Sequence, residues 1–506
     1  MFSEFTNPMP PYENFERVGR IIAQNTIVTT LVLSTGPCFV FDGHILRLLD
    51  HLCKNRSIRC LELREIGDSD GELVQSITCL EPFFEKNDEL KCIVGRKLNM
   101  RQSNVISLLV TILSRRQFSV EEIQLIDCKI GDEEIQILLS AFKKHPTIGP
   151  KKICLDSNRI GDEGCRTISE YLEDKRVEIE LLSLSDNSRI TLTGFQHIAK
   201  ALAGRRRALR KLDVSRNNFG GNLLTPFVEA FSSDPDMIPD ELDLTSSTSA
   251  DTQSWRIFGK LLARRRFPMT AIRLGRNSIS HIDLSAFVTA FNSRPRSTPK
   301  ILDLLSNNIN LRGDGDAMAN LLAKPNCSLE RLIMIRNDFL LDENSALRII
   351  DSLVRNDKLQ EFWLDTHDHL SAYVFDCLYD LVCDTRSIEA SIFHSNHTLF
   401  HFGEAASDFG DIHFNLELNR NPNKAIVAYV KVIRVHFAFD FDFDLFKIMK
   451  PSVLVGALAF LNRAFVAYES EKNARRDLNW RAENNSLTIH YLMVKSVPAL
   501  LGFNLT

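Results

Sequence analysis

The chain has 506 residues, 44% of them hydrophobic and 25% charged, enough apolar material to bury a large core. A formal net charge of −4 and a pI near 6.4 leave no global field that would draw nucleic acid or a membrane surface. The 11 cysteines are odd in number and scattered singly, which fits reduced thiols in the cytoplasm or nucleus and not a disulfide framework. The start, MFSEFTNPMPPYENF, has acids and prolines where a secretory signal needs a basic residue and an apolar run.

Residues 1–13, with Pro8, Pro10 and Pro11, read as a loose tail. A short phrase of alternating apolar residues then recurs. Its looser copies are Leu31-Val-Leu33, Leu61-Glu-Leu63 and Ile93-Val-Gly95. From Ile123 the phrase is regular, with first apolar residues at 123, 153, 182, 212, 242, 272, 302 and 332. All steps in that run are of 30 residues except one of 29. A fixed period of this size means a solenoid, in which each unit buries its apolar face only against its neighbours. Phe362-Trp-Leu364 and Ser391-Ile-Phe393 are read as further, degenerate copies of the strand.

Five residues after the first apolar position stands a second marker: Cys128, Asn158, Asn187, Asn217, Ser247, Asn277, Asn307 and Asn337. A buried Asn at the exit from a strand can hydrogen-bond backbone groups of the neighbouring unit, so stacked units predict a structural ladder. A helix follows each marker. In 132–144 (DEEIQILLSAFKK), Ile135, Leu138, Leu139 and Phe142 recur at helical spacing, with acids in the first turn and lysines in the last. Segments 193–206, 251–265 and 343–355 read alike.

The pattern resembles the ribonuclease-inhibitor-like class of leucine-rich repeats over roughly residues 29–400. That resemblance implies an α/β fold: a right-handed horseshoe with a parallel sheet on the concave face and helices on the convex face. After residue 400 the period stops. The phrase His394–Leu399 (HSNHTL), followed by Asn415-Leu-Glu-Leu-Asn-Arg-Asn-Pro-Asn-Lys424, is similar to the closing segment of uncharacterised leucine-rich-repeat proteins of diatom type. The chain therefore divides into a tail (1–13), a solenoid with irregular first units (14–403) and a helical C-terminal capping subdomain (404–506). In the last, a helix is expected near 423–437. The apolar stretch 451–468, broken by Asn462 and Arg463, reads as a buried helix, not a membrane span.

No phosphate-binding loop, dinucleotide turn, nucleophile elbow or paired-cysteine zinc pattern is present. The reading is therefore of a protein with no catalytic residues, no cofactor, no metal site and no small-molecule substrate. His394, His397, His401 and His413 are too irregularly spaced for a metal set, and His367-Asp-His369 reads as a loop. Basic clusters at Arg115-Arg116, Lys143-Lys144, 205–207 and 264–266, with Arg294 and Arg296, precede the next strand by similar intervals. They are either cations at helix C-termini, where the dipole favours them, or a ridge for an acidic partner, RNA or lipid headgroups. The near absence of interleaved aromatics argues against nucleic acid.

In a strand, the residues flanking the core positions point away from the core. On the concave face the middle units present polar and acidic residues. The last units present Ile301, Leu305, Ile333, Ile335 and Trp363, rimmed by Asp303, Arg331, Glu361 and Asp365. A Trp within an apolar patch rimmed by charge has the make-up of an interface hot spot. Either a protein partner meets this patch or the C-terminal subdomain covers it. The expected function is a non-catalytic protein–protein interaction scaffold whose partner is unknown. The alternative is a GTPase regulator like the leucine-rich-repeat activators of Ran, although their long acidic tail has no counterpart in SVPALLGFNLT.

Overall fold

The computed structural model describes residues 13–34, 51–52, 54–65, 78, 80–84, 87, 89–101, 103–114, 120–144, 149–217, 219–291, 298–310, 315–337, 342–365, 371–403 and 410–436. They fall into two compact units, one ending at Ser254 and the other beginning at Trp255. The first holds strands β1 (Thr30–Ser34), β2 (Cys60–Arg64), β3 (Cys92–Arg96), β4 (Glu122–Ile126), β5 (Lys152–Cys154), β6 (Leu181–Ser183), β7 (Lys211–Asp213) and β8 (Glu241–Asp243). The second holds β9 (Ala271–Arg273), β10 (Ile301–Asp303), β11 (Arg331–Ile333), β12 (Glu361–Trp363) and β13 (His401–Phe402).

Within each unit the strands lie in sequence order and every neighbouring pair is parallel. Parallel neighbours need a crossover, and from β3 onward helices supply it. The period sets the register. Leu31, Leu61, Ile93, Ile123, Ile153, Leu182, Leu212 and Leu242 pair in one row, as do Ile272, Leu302, Leu332, Phe362 and Phe402 in the other unit. All of these are buried, each contributing about 1.5–3 kcal/mol. The helices keep the expected places: Asp132–Lys144, Leu192–Ala203, Thr252–Ala263 and Glu343–Leu353. They pack closely. A methyl group on Gly259 would stand 2.7 Å from the carbonyl oxygen of Phe287 and 2.8 Å from Cβ of Ala290 on the helix His281–Phe291.

Two periodic features go unmarked by the apolar pattern. Four residues after the first core position the backbone turns left-handed, at Glu65, Lys97, Asp127, Ser157, Asp186, Arg216, Ser246, Arg276, Ser306 and Arg336, with φ of 50–57°. This conformation costs a non-glycine residue about 1–2 kcal/mol, and it turns the chain so that the next residue, the ladder position, points inward. A second row of asparagines stands just ahead of certain strands. Asn55 accepts from the amides of Ser57 and Ile58 and donates to the carbonyl of Asn25 at 2.9 Å. Asn87 donates to Ile58 O, Asn356 to Leu322 O and Asn396 to Leu353 O, at 2.8–3.0 Å. Each links a strand entry to the repeat before it.

One expectation is corrected. Ser391-Ile-Phe393 is not a strand; it ends the helix Ile388–Phe393. The Ser387 hydroxyl accepts from the amide of Ala390 and caps that helix, and Ile388 and Ile392 bury one face of it. The strand comes later, at β13, 40 positions beyond its partner on β12. The expected helix near 423–437 is Lys424–His436. Residues 1–12, 437–506, Arg115-Arg116, Arg294, Arg296 and His367-Asp-His369 lie outside the described residues. Among the described residues, no helix is long and apolar enough to cross a membrane.

Candidate protein-binding face

The ladder residues sit at the exits of the strands. Asn158 accepts from the amides of Cys128 and Ile130 at 2.9 and 3.1 Å and donates to the carbonyls of Leu125 and Leu155. Asn187 donates to Leu155 O and Leu184 O and accepts from Ile160 N. Asn217 donates to Leu184 O and Val214 O and accepts from Asn187 N. In the second unit Asn307 accepts from Asn277 N and Ile279 N, and Asn337 accepts from Asn307 N and Ile309 N. Cys128 donates to Gly95 O at 3.4 Å and Ser247 to Val214 O at 3.0 Å. These bonds hold each strand at a fixed spacing from the one before. That spacing makes the face turned away from the core a regular array of side chains.

In the first unit this open face carries Val32, Val94, Ile126 and Leu181 singly among polar groups that are largely bonded to one another. Glu62 on β2 accepts from Arg64 at 2.6 Å and from Arg96 on β3 at 2.9 Å. The Arg64 hydrogen bond, aided by Arg96, outweighs burial and holds the Glu62 carboxyl below its usual range. Lys152 pairs with Glu122 at 2.9 Å. Asp156 accepts from the Ser183 hydroxyl and the Ser185 amide, and burial pushes its carboxyl up. Such groups have already traded water for protein partners, and they present little unsatisfied or apolar surface to a ligand.

The second unit differs. Across β10, β11 and β12 the register sets Ile301 beside Arg331 and Glu361, and Asp303 beside Ile333 and Trp363. The ladder of backbone bonds continues past the strands, Leu304 N to Ile333 O and Ser306 N to Ile335 O, which keeps Leu305 level with Ile335. Ile301, Leu305, Ile333, Ile335 and Trp363 are all half-buried, so the patch is partly shielded by its own neighbours. The Trp363 ring is fixed from two sides. Its Nε1 donates to Glu361 Oε2 at 2.7 Å, and Glu361 Oε1 takes the Arg331 guanidinium at 2.6 Å. Burial opposes ionisation of Glu361, but these two hydrogen bonds prevail and keep it below the usual carboxylate range. On the other side the His401 ring of β13 lies on the indole, centroids 3.7 Å apart and planes 31° off parallel. Asp365 accepts from the amide of Arg336, and Asp303 from that of Leu305. Burial pushes the Asp303 carboxyl up.

His401 was missed as a member of this face. The run Leu399-Phe-His-Phe402 carries the signal: His401 precedes the apolar Phe402 as Glu361 precedes Phe362. The other histidines serve elsewhere. His397 is enclosed, its Nε2 3.1 Å from Ile392 O, and burial beside Lys431 pushes it down to about 3, so the ring is neutral. Among the described residues no group of three or more His, Cys, Asp or Glu side chains is arranged to hold a metal ion.

The parallel strands alternating with helices, in a repeat of about 30 residues, are the architecture of an α/β leucine-rich-repeat solenoid of the ribonuclease-inhibitor-like kind. The chain is similar to the ribonuclease inhibitor of Sus scrofa, 30% identical over 101 residues. The match takes in 20% of this chain and spans only 21% of that protein's length. No family model matches the chain.

Proposed function

We propose that this protein is a protein-binding scaffold whose ligand meets the open face of β10–β12. The observation that carries the reading is Trp363. Its indole is held in one orientation by Glu361 and His401, at the edge of the apolar patch formed by Ile301, Leu305, Ile333 and Ile335. A large aromatic side chain locked before binding loses little entropy on association, which is what makes such residues anchors. The charged groups around it, Arg331, Glu361, Asp303 and Asp365, form a polar rim that would set orientation more than affinity. The similarity to a protein named as an inhibitor of ribonuclease, an occupation that is itself protein binding, supports the class of function.

The test is parallel capture from an extract with the whole chain, Trp363→Ala, Ile333→Asp, and a control altered on the first unit's open face, Ser185→Asp. A hot-spot tryptophan is worth about 2 kcal/mol or more of binding. The same partner should therefore be lost, by at least about thirtyfold in apparent affinity, from both second-unit variants and kept by the control. Equal capture by all four would defeat this site. Stimulated GTP hydrolysis by a Ran-type GTPase, unaffected by Trp363→Ala, would replace the scaffold reading with that of a GTPase regulator.

A further inference from the structure

On the open face of the first unit, β2 and β3 place Cys60 directly opposite Cys92 in parallel register. Both are half-exposed free thiols, whereas Cys128 and Cys165 are buried. The side chains precede the core residues Leu61 and Ile93, so they leave the strands on the same side. Adjacent strands run about 4.8 Å apart. That lies inside the roughly 4.4–6.8 Å that a disulfide needs between Cα atoms. Next along the row come Glu122, paired with Lys152, and above it Glu62, paired with Arg64 and Arg96.

We propose that Cys60 and Cys92 are a peroxide-reactive dithiol, closing reversibly to a disulfide across β2 and β3. The thiolate of one of the two attacks one oxygen of hydrogen peroxide. An S–O bond forms, the O–O bond breaks, and the departing hydroxide takes a proton to become water. The sulfur is oxidised by two electrons to a sulfenic acid and the peroxide is reduced. The second thiol, giving up its proton, then attacks that sulfur. The S–S bond forms, the S–O bond breaks, and the leaving hydroxide combines with the released proton as a second water. A small thiol reductant reverses the change by exchange, leaving as its own disulfide.

The two thiols act on each other as a pair. A thiolate at either position is stabilised by the neighbouring thiol, against burial and the carboxylates of Glu62 and Glu122. Burial also pushes the Cys128 thiol up to about 12 and Cys165 higher still, leaving these poorly reactive.

The experiment is differential alkylation of the full chain, reduced and then exposed to a few equivalents of hydrogen peroxide, with peptide mass mapping. Labelling should vanish at Cys60 and Cys92 together, with one cross-linked peptide pair lighter by about 2 Da, and return with dithiothreitol. In Cys92→Ser the sulfenic acid should persist at Cys60 and be trapped by dimedone. In Cys60→Ser it should likewise persist at Cys92. Because both serine variants are read by labelling in the native chain, loss of folding would show as alkylation of Cys128 and Cys165. Oxidation of Cys60 no faster than of Cys128, or a Cys60 disulfide to any residue other than Cys92, would overturn the assignment.

Discussion

Replacing Asn307 by alanine tests the ladder at a rung bonded on both sides. The Asn307 amide donates to Leu274 O at 3.0 Å and Leu304 O at 2.9 Å, and its oxygen accepts from Asn277 N at 2.9 Å and Ile279 N at 3.1 Å. Asn307 itself is buried. Alanine removes all four bonds and opens a gap too small to hydrate well. A buried group left unpaired costs about 1–3 kcal/mol. The two amides of the preceding repeat are the groups most exposed to that penalty, because the carbonyls keep a second lone pair for other donors. The expected loss is therefore about 2–5 kcal/mol. Asn307→Ser, which can still reach a carbonyl as Ser247 does, should recover less than half of it. Urea unfolding followed by circular dichroism measures the total. Amide exchange at Asn277 and Ile279 supplies the local readout, since a repeat array need not unfold in one step. An Asn307→Ala protein with its midpoint unchanged and both amides still protected would refute the ladder mechanism.

Other expectations follow from single features. Gly259→Ala must push a methyl group against Phe287 and Ala290, so the thermal midpoint should drop, with a loss of about 1–3 kcal/mol in denaturant titration. Arg216 is exposed with φ of 57°, and Arg216→Gly should stabilise by about 1 kcal/mol by relieving the left-handed strain; a destabilised variant would show that the side chain, not the backbone, matters there. Lys431 is fully buried, with its ammonium against Val382 O, Asn396 O and Asn419 Oδ1, and burial pushes it down to about 7. Its folded pKa lies below the unfolded one, so the unfolded chain holds more protons between these values. Stability should then rise with pH from about 7 towards 10.4, by at most about 1.4 kcal/mol per pH unit. Urea titrations of Lys431→Met across that range should lack this slope, whatever the variant's overall loss; an identical slope in both proteins would assign it to other groups.

The solenoid was legible because its determinant is one-dimensional. A repeat that buries its apolar face only on its neighbours must carry the same apolar phrase at the same interval. Ile123, Ile153 and Leu182 therefore announce both the strand and its register before any contact is known. The same counting placed Trp363 beside Ile333 on the open face. What the interval could not carry is anything set by packing between repeats. The left-handed turn falls on Ser, Arg, Asp, Lys or Glu alike, because the backbone path and not the side chain demands it. Ser391-Ile-Phe393 has the look of a strand, yet the Ser387 cap and the face it shares with Ile388 make it helical. The stacking of His401 on Trp363 depends on a strand that arrives after 40 residues instead of 30. The pairing of Cys60 with Cys92 survives an interval of 32 because Leu61 and Ile93 anchor the register and the connecting chain absorbs the excess. Period and polarity decide which way each side chain faces, but only the three-dimensional stacking decides which side chains meet, since connection lengths vary freely wherever the core does not constrain them.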